Sequence, residues 1–169
     1  MNIRKAQVSD AGTLSRFAER CFRETFSAQN SVEDMEEYCF RNFSDDIQKE
    51  EIINEDVVTL LLEINGKLAA YSQLYTETVP ACLSSKRAGE IRRFYVDASQ
   101  QGKGVAQHLM SACLSFMKNS GAEAAWLAVW EENAKAIAFY QKFAFTQIGE
   151  QSFLLGDDLQ RDVIMACQL

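Results

Sequence analysis

Proline, histidine and long apolar runs are nearly missing from this chain, and each scarcity closes off a class of answer. The one proline in 169 residues, Pro80, sits in a loop-like stretch, so no Pro-rich linker divides the chain and 1–169 reads as a single domain. The one histidine, His108, falls beside Leu109 near the start of a helical pattern, where a structural or surface role outweighs a catalytic one. Cysteines number five, at 21, 39, 82, 113 and 167, and none are in C-x-x-C spacing. That argues against a disulfide framework and against a zinc site, so no metal is expected and the thiols read as reduced and partly buried. No apolar run reaches the roughly 20 residues that cross a bilayer, and the opening MNIRKAQVSD lacks an apolar core. The expectation is a cytoplasmic protein with no membrane partner.

Charge of positive sign is also short. Lys and Arg number 17 against 24 Asp and Glu, for a net charge of -7. Such a field repels nucleic acid and suits a cationic small substrate, although solubility alone also accounts for it. Hydrophobic residues at 47% and charged residues at 24% exclude a disordered chain.

What is present reads as a continuous series of strands and helices. Residues 2–7 alternate weakly as a strand, and Ser9 or Asp10 is placed to cap a helix carrying Leu14, Phe17, Cys21 and Phe22 at helical spacing. Ser31 and Asp34 form a capping-box-like start to a second helix with Met35, Tyr38 and Cys39 on one face, and 44–54 suits a third. Two β-type runs, 56–63 and 68–75, flank Asn65-Gly66, the dipeptide of a tight hairpin. A loop over 76–88 leads to a strand at 90–96. A helix from Val105 to near Gly121, a strand at 124–130 and a helix at 133–143 follow. A last strand pair brackets a Gly156-Asp157-Asp158 turn. The two strands joined by the Val105 helix are expected to be parallel with a right-handed crossover. The fold class is α/β: a mixed sheet of about seven strands with helices on both faces.

Two segments carry chemistry. Gln101-Gly102-Lys103-Gly104-Val105-Ala106 lies between a strand and a helix. Its glycines permit a sharp turn that gathers backbone N–H groups, the helix adds its positive end, and Ala106 permits close approach. Lys103 can add a phosphate contact. The third glycine of a dinucleotide fingerprint is absent, since Gln107 stands there, and the P-loop pattern fails as well. Downstream, Asn133 and Tyr140 are seven residues apart, two helical turns, and share one face. Tyr140 alone reads first as an ordinary core tyrosine of an amphipathic helix.

In combination, strand, Q-G-x-G-x-A, helix, strand and N-x-x-A-x-x-x-Y-x-K-x-x-F resemble the two cofactor motifs of the GNAT superfamily of N-acetyltransferases, over residues 90–145. The stretches ETFSAQNS at 24–31, WLAVWE at 126–131, QSFLLGD at 151–157 and DVIMA at 162–166 are similar to the PaiA-type spermine/spermidine acetyltransferases. Two positions depart from the pattern. Ala144 stands where the family has glycine, and Arg92 stands where relatives carry an acidic residue.

The resemblance implies a splay between the two central parallel strands, with acetyl-CoA as co-substrate in the gap. Its pantetheine would bond the backbone of Phe94, Tyr95 and Val96, and its pyrophosphate would rest on Gln101, Gly102, Lys103, Gly104, Val105 and Ala106. Asn133 and Lys142 complete the cofactor set. Tyr140 would protonate or hydrogen-bond the departing thiolate, and a strand N–H near Val96 would stabilise the oxyanion. The acceptor is expected to be a small primary amine, most of all a polyamine, attacking directly. A peptide or protein acceptor, or a CoA-binding module without turnover, are the alternatives, and the terminal strands are candidate homodimer material, with monomer and dimer both left open. At pH 7 an amine with a pKa near 10.4 is neutral about once in a few thousand, a penalty of roughly 4–5 kcal/mol, so a base is expected. Glu90 is the first candidate, with a solvated strand end as its other reading, and Glu131 and Glu132 are next. Carboxylates at Glu24, Glu33, Asp34, Glu36 and Glu37 are candidates to hold distal ammonium groups of a polyamine.

Overall fold

A computed structural model describes the chain apart from Gln29, Glu77, Gly156 and Asp157 and the side chains of Leu155 and Asp158. The expected Gly156-Asp157-Asp158 turn therefore lies outside the described residues. The strands are β1 (Asn2–Lys5), β2 (Val57–Ile64), β3 (Lys67–Tyr75), β4 (Ala88–Val96), β5 (Ala124–Trp130), β6 (Thr146–Leu155) and β7 (Asp158–Gln168). The helices are α1 (Ala11–Phe26), α2 (Val32–Phe43), α3 (Asp45–Ile53), α4 (Val105–Asn119) and α5 (Ala134–Gln141). The seven strands form one sheet in the order β1-β2-β3-β4-β5-β7-β6, and β4 with β5 is the parallel pair. No helix among the described residues is long and apolar enough to cross a membrane.

Local chemistry explains most boundaries. Asn65 and Gly66 both have positive φ, at 52° and 74°, the conformation a two-residue type I′ turn demands between β2 and β3. The Ser31 hydroxyl accepts from the Asp34 amide at the start of α2, and the Ser44 hydroxyl accepts from Ile47 at the start of α3. At the start of α1 the expectation needs correcting. Asp10 occupies the N-cap, but its carboxylate is drawn to the Arg4 guanidinium at 2.7 and 2.8 Å and to the Gln7 amide, not to the helix. A two-toothed charged contact outcompetes a single neutral cap bond.

Alternation along the strands builds two apolar layers. Leu61 and Leu62 are neighbours in β2 yet point to opposite faces. Leu62 joins Leu74, Ile91, Leu109, Met110 and Met117 under α4 and α5. Leu61 joins Tyr71, Leu14, Phe17, Phe22 and Met35 under α1 and α2. Each fully buried side chain of this kind contributes about 1.5–3 kcal/mol.

Two irregularities in the middle of the sheet prepare the site. The ladder between β3 and β4 slips by one residue, because Gln73 faces Arg93 while Leu74 faces Ile91, so Arg92 is a bulge. The slip changes the phase of β4: Ile91 and Phe94 both pack on the α4–α5 side, and Tyr95 packs on the α1–α2 side. The second irregularity is the pairing of β4 with β5, which covers only Ala88, Gly89 and Glu90 against Ala124, Ala125 and Trp126. Beyond the bulge β4 stays with β3, while β5 follows β7 over its whole length, from Ala124 to Trp130. The two strands thus part, and one edge of Arg92–Val96 has no strand partner among the described residues.

Candidate active site

The parting of β4 and β5 opens two cavities that share a wall. The larger, about 750 Å³, runs from Val96 and the Gln101–Gly102 turn along α5. The smaller, about 200 Å³, lies under α1 and α2 against Trp130 and Asp162. Thr25, Phe94, Tyr95, Asn133, Ala136 and Tyr140 line both. A molecule in one cavity therefore meets a molecule in the other at these six residues.

The larger cavity has the features of an anion cradle at one end. Gly102 and Gly104 hold φ values of 75° and 82°, the left-handed region that favours glycine. No atom lies within 4 Å of where a side chain would begin at either position, so the backbone there is bare. The first helical hydrogen bond of α4 runs from His108 N to Gly104 O, which leaves the preceding amides without a helical acceptor. Lys135 of α5 and Lys142 just past its end line the same cavity, and the Lys135 ammonium reaches across to the Gln101 side-chain oxygen. Bare amides, a helix start and two ammonium groups fit the diphosphate of a coenzyme. The unpaired edge of Phe94–Val96 fits an amide-bearing arm laid beside it as an extra strand.

At the shared wall, Asn133 caps α5, its Oδ1 accepting from the Ala136 amide at 3.1 Å. Its side-chain nitrogen makes no hydrogen bond to a described residue, and Asn133 lines both cavities. Tyr140 is 9% exposed, with its ring against Phe94, Phe139 and Phe145. Burial, with a smaller effect from the Cys113 thiol, pushes its phenol well above the ordinary tyrosine range, so it keeps its proton at any working pH. Tyr95, also on this wall, is pushed up by burial too.

The sequence profile of the acetyltransferase (GNAT) family matches residues 16–145. This chain belongs to the GNAT acetyltransferase family. As such it is an acetyl-CoA-dependent N-acetyltransferase. It is 28% identical over 165 residues to an uncharacterized N-acetyltransferase of Lactobacillus delbrueckii subsp. lactis, covering 96% of this chain and 95% of the relative. Among solved structures, its fold is similar to the PaiA N-acetyltransferase from Thermoplasma acidophilum in complex with coenzyme A. The TM-score there is 0.80 at 23% identity, over 99% and 98% of the two chains. It is also similar to the ribosomal-protein-S18-alanine N-acetyltransferase from Escherichia coli, with a TM-score of 0.68 at 19% identity, over 99% and 92% of the two chains.

Within this GNAT chain the expected site residues separate into groups. Phe94, Tyr95, Val96, Gln101, Gly102 and Ala106 line the larger cavity, as do Asn133, Tyr140 and Lys142. Lys103 and Gly104 are exposed beside the cradle and outside its lining, and the Val105 side chain is 1% exposed in the core, leaving only its backbone to the ligand. His108 is exposed.

The candidate bases are placed elsewhere. Glu90 lines neither cavity, and it is no solvated strand end either, being only 7% exposed. Its carboxylate accepts from the Arg92 guanidinium at 2.8 and 3.2 Å and from the Thr78 hydroxyl at 2.8 Å. Glu131 is paired with Arg161, which holds its carboxyl below the usual range, and Glu132 is exposed. Neither lines a cavity. Of the early acids, Glu24 lines the larger cavity, while Glu33, Glu36 and Glu37 are exposed and Asp34 is taken up at the Ser31 cap.

Several wall residues went unnoticed in the sequence. Asp162 on β7, cross-strand from Trp130 on β5, lines the smaller cavity with Tyr38, Phe153 and Gln160. The alternation of β7 contained the signal, since Asp162 shares a strand face with Ile164 and Ala166, and those two pack with Trp126. Lys135, the second residue of α5, also lines the larger cavity, and its two-residue separation from Asn133 gave no helical-face signal.

Proposed function

We propose that this enzyme acetylates a small cationic amine, with polyamines the first class to examine, by direct attack of the amine on the thioester. One observation carries the reading: two cavities of different character meet at a common wall bearing Asn133 and Tyr140. Such an arrangement brings two reactants together without a covalent enzyme intermediate. Acetyl-CoA supplies the activated acetyl group as a thioester. The chain's part is to hold the diphosphate on the Gly102–Ala106 amides, Lys135 and Lys142, and the arm on β4.

Tyr140 is assigned as a hydrogen-bond donor to the leaving sulfur. Full proton transfer from so high a phenol to the conjugate base of a thiol near 8.5 runs uphill, so donation without transfer is the stabilising contribution. The backbone N–H near Val96 is the corresponding donor to the carbonyl oxygen.

The shared wall bears no carboxylate among the described residues; its titratable groups are Tyr95 and Tyr140, both protonated. We therefore assign Glu90 to shaping the bulge at Arg92 instead of to proton abstraction. The amine that reacts is the neutral minority present in solution. Polyamine as the acceptor class draws support from the aromatic smaller cavity, whose one carboxylate is Asp162, and from the fold likeness to the PaiA protein. A cytoplasmic setting suits a protein whose five cysteines are free.

A thiol-release assay with acetyl-CoA against spermine, spermidine, putrescine and lysine-bearing peptides tests the proposal. Turnover with the small amines is expected. Turnover with peptides alone would move the activity to protein acetylation.

A further inference from the structure

The smaller cavity holds one charge that no described side chain answers. Three ionic side chains line it: Arg92, Arg93 and Asp162. The two guanidinium groups are already paired, Arg92 with Glu90 at 2.8 Å and Arg93 with Glu51 at 2.7 Å. Asp162 has no ion pair and accepts no hydrogen bond from a described side chain. Around it stand aromatic rings from three elements: Phe22 and Phe26 of α1, Tyr38 of α2 and Trp130 of β5, with Phe153 of β6 completing the wall. The Phe26 and Trp130 rings lie 6.1 Å apart edge to face, and Tyr38 stacks on Phe22 at 4.5 Å. A lone carboxylate inside an aromatic enclosure matches one chemical group, an organic ammonium, which gains from the charge and from the ring faces together.

The position of Asp162 decides which nitrogen of the acceptor it serves. It lines the smaller cavity only and is not on the wall shared with the larger one. A carboxylate beside the attacking nitrogen would also favour its protonated form and oppose reaction. Resting on the amine-acetylation reading above, we infer that Asp162 is a specificity-determining residue that anchors a second, distal ammonium group of the acceptor, so that the enzyme selects diamines over monoamines of equal length. The near nitrogen, neutral, faces Asn133 and Tyr140, while the far one keeps its proton at Asp162. The exposed acids of α2 have no part in this, and a single anchored ammonium suffices.

Burial raises the Asp162 carboxyl above the ordinary carboxylate range. The charged or titratable groups facing it are Tyr38 from α2, Arg92, Arg93 and Tyr95 from β4, and Tyr140 from α5; α1 contributes Thr25 and phenylalanines, and β6 contributes Phe153. On β7 itself the neighbouring Arg161 is engaged by Glu131 and Glu150. Selectivity for diamines is therefore present at neutral pH and declines as acid protonates Asp162.

The test compares kcat/KM for cadaverine with that for n-pentylamine, and for putrescine with n-butylamine, in the wild type, Asp162→Asn and Asp162→Glu. The wild type is expected to favour each diamine by about tenfold or more. Asp162→Asn should bring each pair to near equality by raising KM for the diamine, with KM for acetyl-CoA unchanged, and Asp162→Glu should restore part of the preference. Coenzyme A binding by calorimetry confirms that each variant is folded. Equal preference in wild type and Asp162→Asn, with amines turned over by both, overturns the anchor and leaves amine acetylation standing. Coenzyme A binding with no amine turned over by the wild type overturns amine acetylation, and the anchor with it.

Discussion

Glu51 on α3 accepts a hydrogen bond from Arg93 on β4 at 2.7 Å, and both side chains are nearly buried, at 16% and 10% exposure. The same carboxylate oxygen accepts from Gln73 and Gln48, while Arg93 also reaches the Asn42 carbonyl at the end of α2. This knot ties the helices over the smaller cavity to the strand just past the bulge. Removing one partner strands the other as a buried charge. Glu51→Ala is expected to cost about 3–5 kcal/mol in urea unfolding. It should also raise KM for the amine more than KM for acetyl-CoA.

Ala144 carries φ of 61° at the end of α5, where Phe145 N bonds back to Tyr140 O. The sequence already marked this position as one that family members fill with glycine. A left-handed alanine costs about 1–2 kcal/mol, part of which glycine returns to the unfolded chain as entropy. Ala144→Gly should therefore stabilise the protein by roughly 0.5–1 kcal/mol, read as a higher Tm with unaltered kcat.

Tyr140→Phe removes one hydrogen bond to a developing negative charge. Such bonds contribute about 1.5–3 kcal/mol, so kcat should fall roughly ten- to a hundredfold while KM for acetyl-CoA holds. Because burial holds the wild-type phenol protonated, no loss of activity attributable to Tyr140 should appear on the alkaline side up to about pH 10. An unchanged kcat in Tyr140→Phe would remove the residue from the chemistry.

With no carboxylate at the shared wall, the neutral amine fraction governs the rate. For a monoamine with a pKa near 10.4, kcat/KM should rise about tenfold per pH unit between about pH 7 and 9. A plateau beginning near pH 7 would reveal a base.

Asp162 also predicts a stability effect. Its folded carboxyl is raised, so the charged form is disfavoured by folding. The contribution to stability is best below the unfolded value near 3.9 and is lost as pH rises through the folded one. Asp162→Asn should therefore melt at a higher temperature than wild type at pH 7, and the gap should close in acid.

Much of this was visible in the residues themselves. Asn65-Gly66 specified its hairpin, and the positive-φ turn at Gly102 and Gly104 and the Asn133 cap were legible locally, because turns and caps are decided within a few positions, whereas Tyr140 stood out only through the family resemblance. Asp162 was only half legible: alternation puts it on the strand face of Ile164 and Ala166, but its surroundings are assembled from distant parts of the chain. Its importance depends on β7 lying against β5 and on Arg92 and Arg93 already being neutralised by Glu90 and Glu51, and no local pattern records either. Glu90 misled for the same cause: a carboxylate on the central strand looks available until its partners at Thr78 and Arg92 are in view.

The common wall divides labour along the chain. Donor-side contacts come mostly from β4, the start of α4 and α5, with Cys21 and Glu24 of α1 added from the N-terminal part of the chain. Acceptor-side contacts that are not shared come from α1, α2, the bulge of β4, the end of β5, β6 and β7, and of these elements α2, β5, β6 and β7 do not line the larger cavity. Substitutions on α2, β6 and β7 can thus retune which amine is taken while leaving the grip on the coenzyme alone, so the fold can change its clientele without relearning its chemistry.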